Sequence, residues 1–154
     1  MVKVHDIDGN TFDVTTQSLS FRPAVYGVIV RDKSVLLMQV KDKFWLPGGG
    51  VEPGENHLDT LRREVREETG LSVQPVQLLD VYSSMYRSFT STQNYHSIQM
   101  FYICKIVADD GKPSLTPEER AYLKPARWVQ IAQLHKYPYA GIEPIFHQIQ
   151  QHYR

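Results

Sequence analysis

The stretch Gly49–Leu71, GGVEPGENHLDTLRREVREETGL, decides how the rest of the chain is read. It has the form of a glycine turn, a charged loop and a helix dense in carboxylates. Asn56 is a strong helix N-cap, and Asp59, three residues on, supplies the acidic half of a capping box. Gly70 stands where a helix ends on a residue of positive φ. Between these limits Leu58, Leu61 and Val65 fall on one stripe, the packing face. Glu64, Glu67 and Glu68, at i, i+3 and i+4, meet on a neighbouring face. Interleaved Arg62, Arg63 and Arg66 offer a plain alternative, a surface lattice of ion pairs. That alternative leaves unexplained the triplet Gly48-Gly49-Gly50 and the acidic loop with Glu52 and Glu55. Glycines there let backbone approach a ligand closely, and carboxylates with a carbonyl oxygen form a hard-oxygen set suited to Mg²⁺ or Mn²⁺.

The same stretch resembles the signature of the Nudix hydrolases at each of its fixed positions. These are Gly49, Glu55, Arg63, Glu64, Val65, Glu67, Glu68, Gly70 and Leu71, with Trp45-Leu46-Pro47-Gly48 as the approach. The resemblance implies an α/β fold, a mixed β-sheet in an α/β/α sandwich. It implies hydrolysis of a nucleoside diphosphate linked to another moiety: a nucleoside triphosphate, ADP-ribose or another nucleotide sugar, or a dinucleoside polyphosphate. Glu64, Glu67 and Glu68, with the carbonyl of Gly48, are then the metal-binding set, and Glu55 supports it. Arg63 is expected to pair with these carboxylates, with direct contact to substrate phosphate as its alternative role. The general base is left between a glutamate of the signature, where Glu64 is the essential carboxylate to expect, and Glu119 on a later loop, which could instead be an added metal ligand. Against Glu119 stands the simpler role of a charge at a helix start after Pro117.

Outside the signature, Tyr82, Tyr86, Arg87, Phe89, Tyr95 and His96 cluster around one polar stretch. Of these, Tyr86, Arg87 and Tyr95 are the candidate substrate contacts, with ordinary packing as the competing role. The position of Tyr86 beyond the signature is similar to that of a tyrosine in the dinucleoside polyphosphate subgroup. The rival from another class is a nucleotide-sensing module of the same fold without turnover. Such proteins carry degenerate signatures, whereas this one is intact. Isoprenoid isomerisation on the same fold ranks lower, because the signature is altered there.

Composition narrows the partners. Lys+Arg and Asp+Glu both number 17, so bulk charge gives no argument for a nucleic-acid polymer, and a small nucleotide is the expected partner. Homodimerisation is left open. The lone Cys104 lies in an apolar run and is expected to be a buried thiol. The absence of a long apolar run or a leader-like start implies a cytoplasmic protein with no membrane contact. At 154 residues a single domain is expected over 1–154. Residues 1–20 form an added extension, a hairpin broken at Asp8-Gly9-Asn10. Ala24–Val30 and Val35–Val40 are expected to pair as a central hairpin buried on both faces. Phe44–Leu46 is a short strand, Val76–Ser83 and Tyr95–Val107 are strands, and Met85–Asn94 is a loop. Ala126–Ile131 is a strand and Glu143–His152 a terminal helix with Ile145, Phe146 and Ile149 inward.

Overall fold

The computed structural model describes residues 1–141 and 143–154. Nine strands form one curled mixed sheet: β1 (Val2–His5), β2 (Thr11–Val14), β3 (Leu19–Arg31), β4 (Ser34–Val40), β5 (Lys43–Trp45), β6 (Gly48–Gly50), β7 (Ser72–Arg87), β8 (Asn94–Ala108) and β9 (Lys124–Gln130). The helices are α1 (His57–Thr69), the single turn α2 (Pro117–Arg120) and α3 (Pro144–His152), with 3-10 segments at Thr16–Ser18 and Ile131–Lys136. The strand order is β2-β1-β7-β8-β3-β4-β5, with β6 on β3 and β9 on β4.

Strand β3 is the spine, and its apolar run serves two cores. Val28 joins Leu37, Leu46, Phe101, Leu134, Ile145, Phe146 and Ile149 on the side of α3. Val25 and Ile29 join Leu36, Leu61, Val65, Leu71 and Cys104 on the side of α1. A strand covered on both faces has no polar side to show, which is why 24–30 is nearly continuous in apolar residues. The layers are therefore helix, sheet, helix, as expected. Leu61 and Val65 are fully buried, each worth roughly 1.5–3 kcal/mol, while Leu58 is only half-buried at the edge of the stripe.

Several expected boundaries move. The β3–β4 hairpin holds for only two pairs, Val30↔Val35 and Arg31↔Ser34. Beyond them β3 leaves β4 and takes β6 on that edge and β8, in parallel, on the other. Residues 85–87 belong to β7, because Met85, Tyr86 and Arg87 pair with His96, Tyr95 and Asn94. Only 88–93 remains as the loop. Pro75 sits at a break of register in β7, where its missing N–H costs no ladder bond.

At α1 the cap is Asn56, whose side chain accepts from the Leu58 N–H, and Gly70 closes the helix at φ 78°. Asp59 does not complete a capping box; its carboxylate accepts from Arg62 instead. Cys104 is free and buried, and burial pushes its thiol up to about 12. Among the described residues no helix is long and apolar enough to cross a membrane. The N-terminal hairpin forms as expected, Val2↔Val14 to His5↔Thr11, and β1 meets β7 in parallel at His5↔Tyr86.

Candidate active site

The three glycines of β6 form a seam between the carboxylate helix and β3. A Cβ on Gly49 would lie 2.9 Å from the Glu64 carboxylate, and one on Gly50 would lie 2.5 Å from the Arg22 guanidinium. The Gly48 N–H donates to Glu68 Oε1 at 3.1 Å. So the seam admits a carboxylate on one side and a cation on the other. Around it opens a cleft of about 280 Å³, near the lower end for small-molecule sites.

Glu64, Glu68 and Glu119 all line this cleft, with Gly48, Gly49 and Gly50 between. Glu68 is only 5% exposed. Burial, then the charge of Glu64, raises its carboxyl well above the usual range, against the pull of the Gly48 N–H. Glu64 is raised to about 7, chiefly by burial, with Arg63 opposing and Glu67 adding to the rise. Glu119 comes from α2, where Thr116 and Glu119 form a reciprocal capping box. One carboxylate oxygen accepts from the Thr116 N–H at 2.8 Å, so the helix-start role and the position on the cleft are held by the same residue.

Arg63 is committed to carboxylates. It grips Glu55 with two bonds of 3.0 Å and reaches Glu64 at 3.2 Å and Glu67 at 3.3 Å. Neither Arg63 nor Glu67 is among the residues that line the cleft, and every contact above is of the pairing kind expected of Arg63. Glu55 accepts those bonds and another from the Glu52 N–H, fixing the loop into α1.

Tyr86 and Arg87 do line the cleft, as does Phe89. Tyr95 stands outside it, 5.5 Å from the Tyr86 ring and beneath the Arg22 guanidinium. Tyr82 is engaged with Gln148, and His96 with Ser83. Five contributors were not foreseen. Arg22, at the head of β3, donates to the Tyr86 hydroxyl at 3.0 Å. Its only sequence signal is a lone cation before an apolar run. Trp45 and Tyr122 flank Phe89, with centroids at 6.1 and 5.1 Å, and make an aromatic wall. Gln99 and Ser84, both more than nine-tenths buried, form part of the polar floor.

The cleft thus has an acidic side and, across the glycine seam, two arginines without carboxylate partners among the described residues. A model of the NUDIX domain matches residues 20–148. The chain belongs to the Nudix family. Curated relatives include a putative ADP-ribose pyrophosphatase of Bacillus subtilis, 31% identical over 64% of this chain and 48% of its own length. Another is an ADP-ribose pyrophosphatase of Methanocaldococcus jannaschii, 36% identical over 65% of this chain and 61% of its own length. The chain thus spans about half to three fifths of the length of these two relatives. Among solved structures, the MutT protein of Methanosarcina mazei superposes with a TM-score of 0.67 at 22% identity, covering 88% of this chain and 97% of that one. That likeness confirms the Nudix fold.

Nudix proteins generally require divalent metal ions. Among the described residues no three acidic, His or Cys side chains already converge as a cage, since Glu64 and Glu67 are turned onto Arg63. The donor chemistry nevertheless fits. Buried Glu68 and partly buried Glu64, whose charge adds to the rise at Glu68, with room against Gly49 that a Cβ would fill, are hard oxygens short of positive charge.

The raised carboxyls set the pH dependence of the metal-free protein. A carboxyl held up in the fold binds its proton more tightly than in the unfolded chain. The stability it gives is complete below the unfolded value near 4.5 and is lost as pH rises through about 7. Carboxyls held low, such as Asp80 bound by Gln148, act only at more acid pH. Between pH 5.5 and 8 in EDTA, Tm is therefore expected to fall, and Glu64→Gln to flatten the slope. A melting curve that is flat or rises over that window in the wild type contradicts this assignment.

Proposed function

We propose that the chain hydrolyses the pyrophosphate linkage of a nucleoside diphosphate joined to another moiety, with ADP-ribose as the first candidate. The observation that carries the reading is the division of one cleft into a carboxylate side (Glu64, Glu68, Glu119) and a cationic side (Arg22, Arg87). A diphosphate is a chain of anions with a reactive phosphorus at its centre. Arginines suit its oxygens, and carboxylates would repel it unless a cation intervened. The names of two curated relatives point to ADP-ribose among such molecules.

On this reading Glu64 and Glu68, with Glu67 drawn in from the helix flank and the Gly48 carbonyl, hold Mg²⁺ or Mn²⁺. The ion, when bound, neutralises phosphoryl charge and acidifies water. Arg63, anchored on Glu55, keeps Glu64 and Glu67 on one side of α1. Glu64 or Glu119 takes the proton of the attacking water; both reach the cleft. Arg22, fixed by the Tyr86 hydroxyl, and Arg87 hold phosphate oxygens. Trp45, Phe89 and Tyr122 offer faces on which a base stacks.

The test is product analysis with ADP-ribose, nucleoside triphosphates, nucleotide sugars and dinucleoside tetraphosphates, each with Mg²⁺, with Mn²⁺ and in excess EDTA. The expected result is cleavage between phosphorus atoms with either metal and a loss of at least about 10³-fold in EDTA. Binding without cleavage of any member at any metal concentration would favour the sensing module and overturn the proposal.

A further inference from the structure

We propose that the N-terminal hairpin is part of the substrate site, with Phe12 as the residue that positions Arg87 for the phosphate chain. The inference rests on the cleft being a nucleotide site, and it extends that site to a segment lying before the family match, which begins at residue 20.

Three observations converge on it. First, His5, Asp6 and Ile7 of the hairpin line the cleft, so its far wall is not made by the family domain alone. Second, β1 joins β7 through the single pair His5↔Tyr86, and Tyr86 is itself one of the three β7 residues, with Ser84 and Arg87, that line the cleft. Third, the Arg87 guanidinium lies 3.9 Å from the centre of the Phe12 ring, and its Nε donates to Asn94 Oδ1 at 3.0 Å. The guanidinium is therefore fixed through one face and one edge. Its two terminal nitrogens have no protein acceptor among the described residues.

The hairpin also withholds its own negative charge. Asp6 reaches the cleft, yet its carboxylate accepts from the N–H groups of Asp8 and Asn10 and from the Asn10 amide. A carboxylate so occupied is a turn anchor and leaves Arg87 unneutralised. A planar cation clamped on an aromatic face, with two donors toward a cleft, matches a phosphate bearing two free oxygens.

The experiment compares Phe12→Leu and Phe12→Tyr, each in wild-type and Arg87→Ala backgrounds. Leucine keeps the apolar cover of β2 but loses the ring face; tyrosine keeps both. Three quantities are read: kcat and KM for ADP-ribose, and Kd for α,β-methylene-ADP by calorimetry. Phe12→Leu is expected to raise KM and Kd about 5–10-fold with kcat within two-fold. Phe12→Tyr should restore the wild-type values, and Phe12→Leu should add less than two-fold once Arg87 is alanine. The proposal is overturned if Phe12→Leu leaves Kd within two-fold. It is equally overturned if the penalty is the same without Arg87, or if the analogue does not bind at millimolar concentration. If no nucleotide is hydrolysed but Kd follows this pattern, the proposed activity fails while the positioning role stands. If ADP-ribose turns over with KM and Kd indifferent to Phe12, the reverse holds.

Discussion

Glu64→Gln is expected to lower kcat by a factor on the order of 10²–10⁴ while the metal-free protein melts, at pH 8, no lower than the wild type. The two halves of this result have one origin. Glu64 is pressed against the glycine seam beside buried Glu68, and at pH 8 its ionised form is held there at a cost on the order of 3 kcal/mol. Glutamine has almost the same shape, and its amide oxygen can still accept from Arg63, which also keeps Glu55 and Glu67. The substitution therefore relieves chiefly the cost of burying a charge, with the repulsion from Glu67 second, and removes the charge that the reaction needs. Glu119→Gln is the internal comparison. A loss of similar size assigns the α2 carboxylate to the same cluster, and a change within a few-fold leaves it as a helix cap. Near wild-type kcat in a normally melting Glu64→Gln protein would remove α1 from the chemistry.

Gly48→Ala is expected to destabilise the fold by about 3–5 kcal/mol, at the upper end for one substitution. Gly48 has φ 147°, and a Cβ there would sit 2.1 Å from the Val25 carbonyl oxygen and 2.7 Å from Tyr26 Cα. Both are backbone atoms of the central strand and cannot rotate away. β6 would have to leave β3, losing the Tyr26↔Gly48 and Val25↔Gly49 pairs and the N–H held by Glu68. For a chain of this size the loss corresponds to a fall in Tm on the order of 10 °C. Thermal denaturation in EDTA measures it without the metal's contribution. A fall of only a degree or two would mean that β6 yields readily, and that the seam is not rigid enough to set the distance between the carboxylates and Arg22.

What the chain's order discloses and what it hides follow from the range of the interactions. The helix α1 was legible because its cap, its apolar stripe and its carboxylate face are all set by neighbours within a turn or two. Asp59 is the exception: Arg62, also within one turn, competed for the same carboxylate. The cleft was half legible. Glu64 and Glu68 could be named from spacing, but Arg22, Gln99 and Tyr122 come from β3, β8 and the turn after α2. Nothing in the periodicity of one strand says which other strand it will lie beside. Tyr86 and Arg87 looked like loop because their polar and aromatic neighbours lack a local period; pairing across to Tyr95 and Asn94 makes them strand. Tyr95 was drawn into the candidate contacts by the same proximity, yet it stands behind Tyr86.

The parallel union of β3 with β8 has a kinetic side. Its pairs, from Leu19↔Asn94 to Ile29↔Cys104, join residues about 75 positions apart, whereas β7 and β8 are closed by a short loop after Arg87. Closing the short loop costs far less chain entropy, so the β7–β8 ribbon is the part that can assemble first, and β3 docks late. Arg22 and Tyr26 arrive with β3, and the glycine seam rests on it. By this ordering the cleft is expected to form with the late docking of β3: a ribbon assembled ahead of it would carry the floor at Ser84 and Gln99 but neither the seam nor its cation.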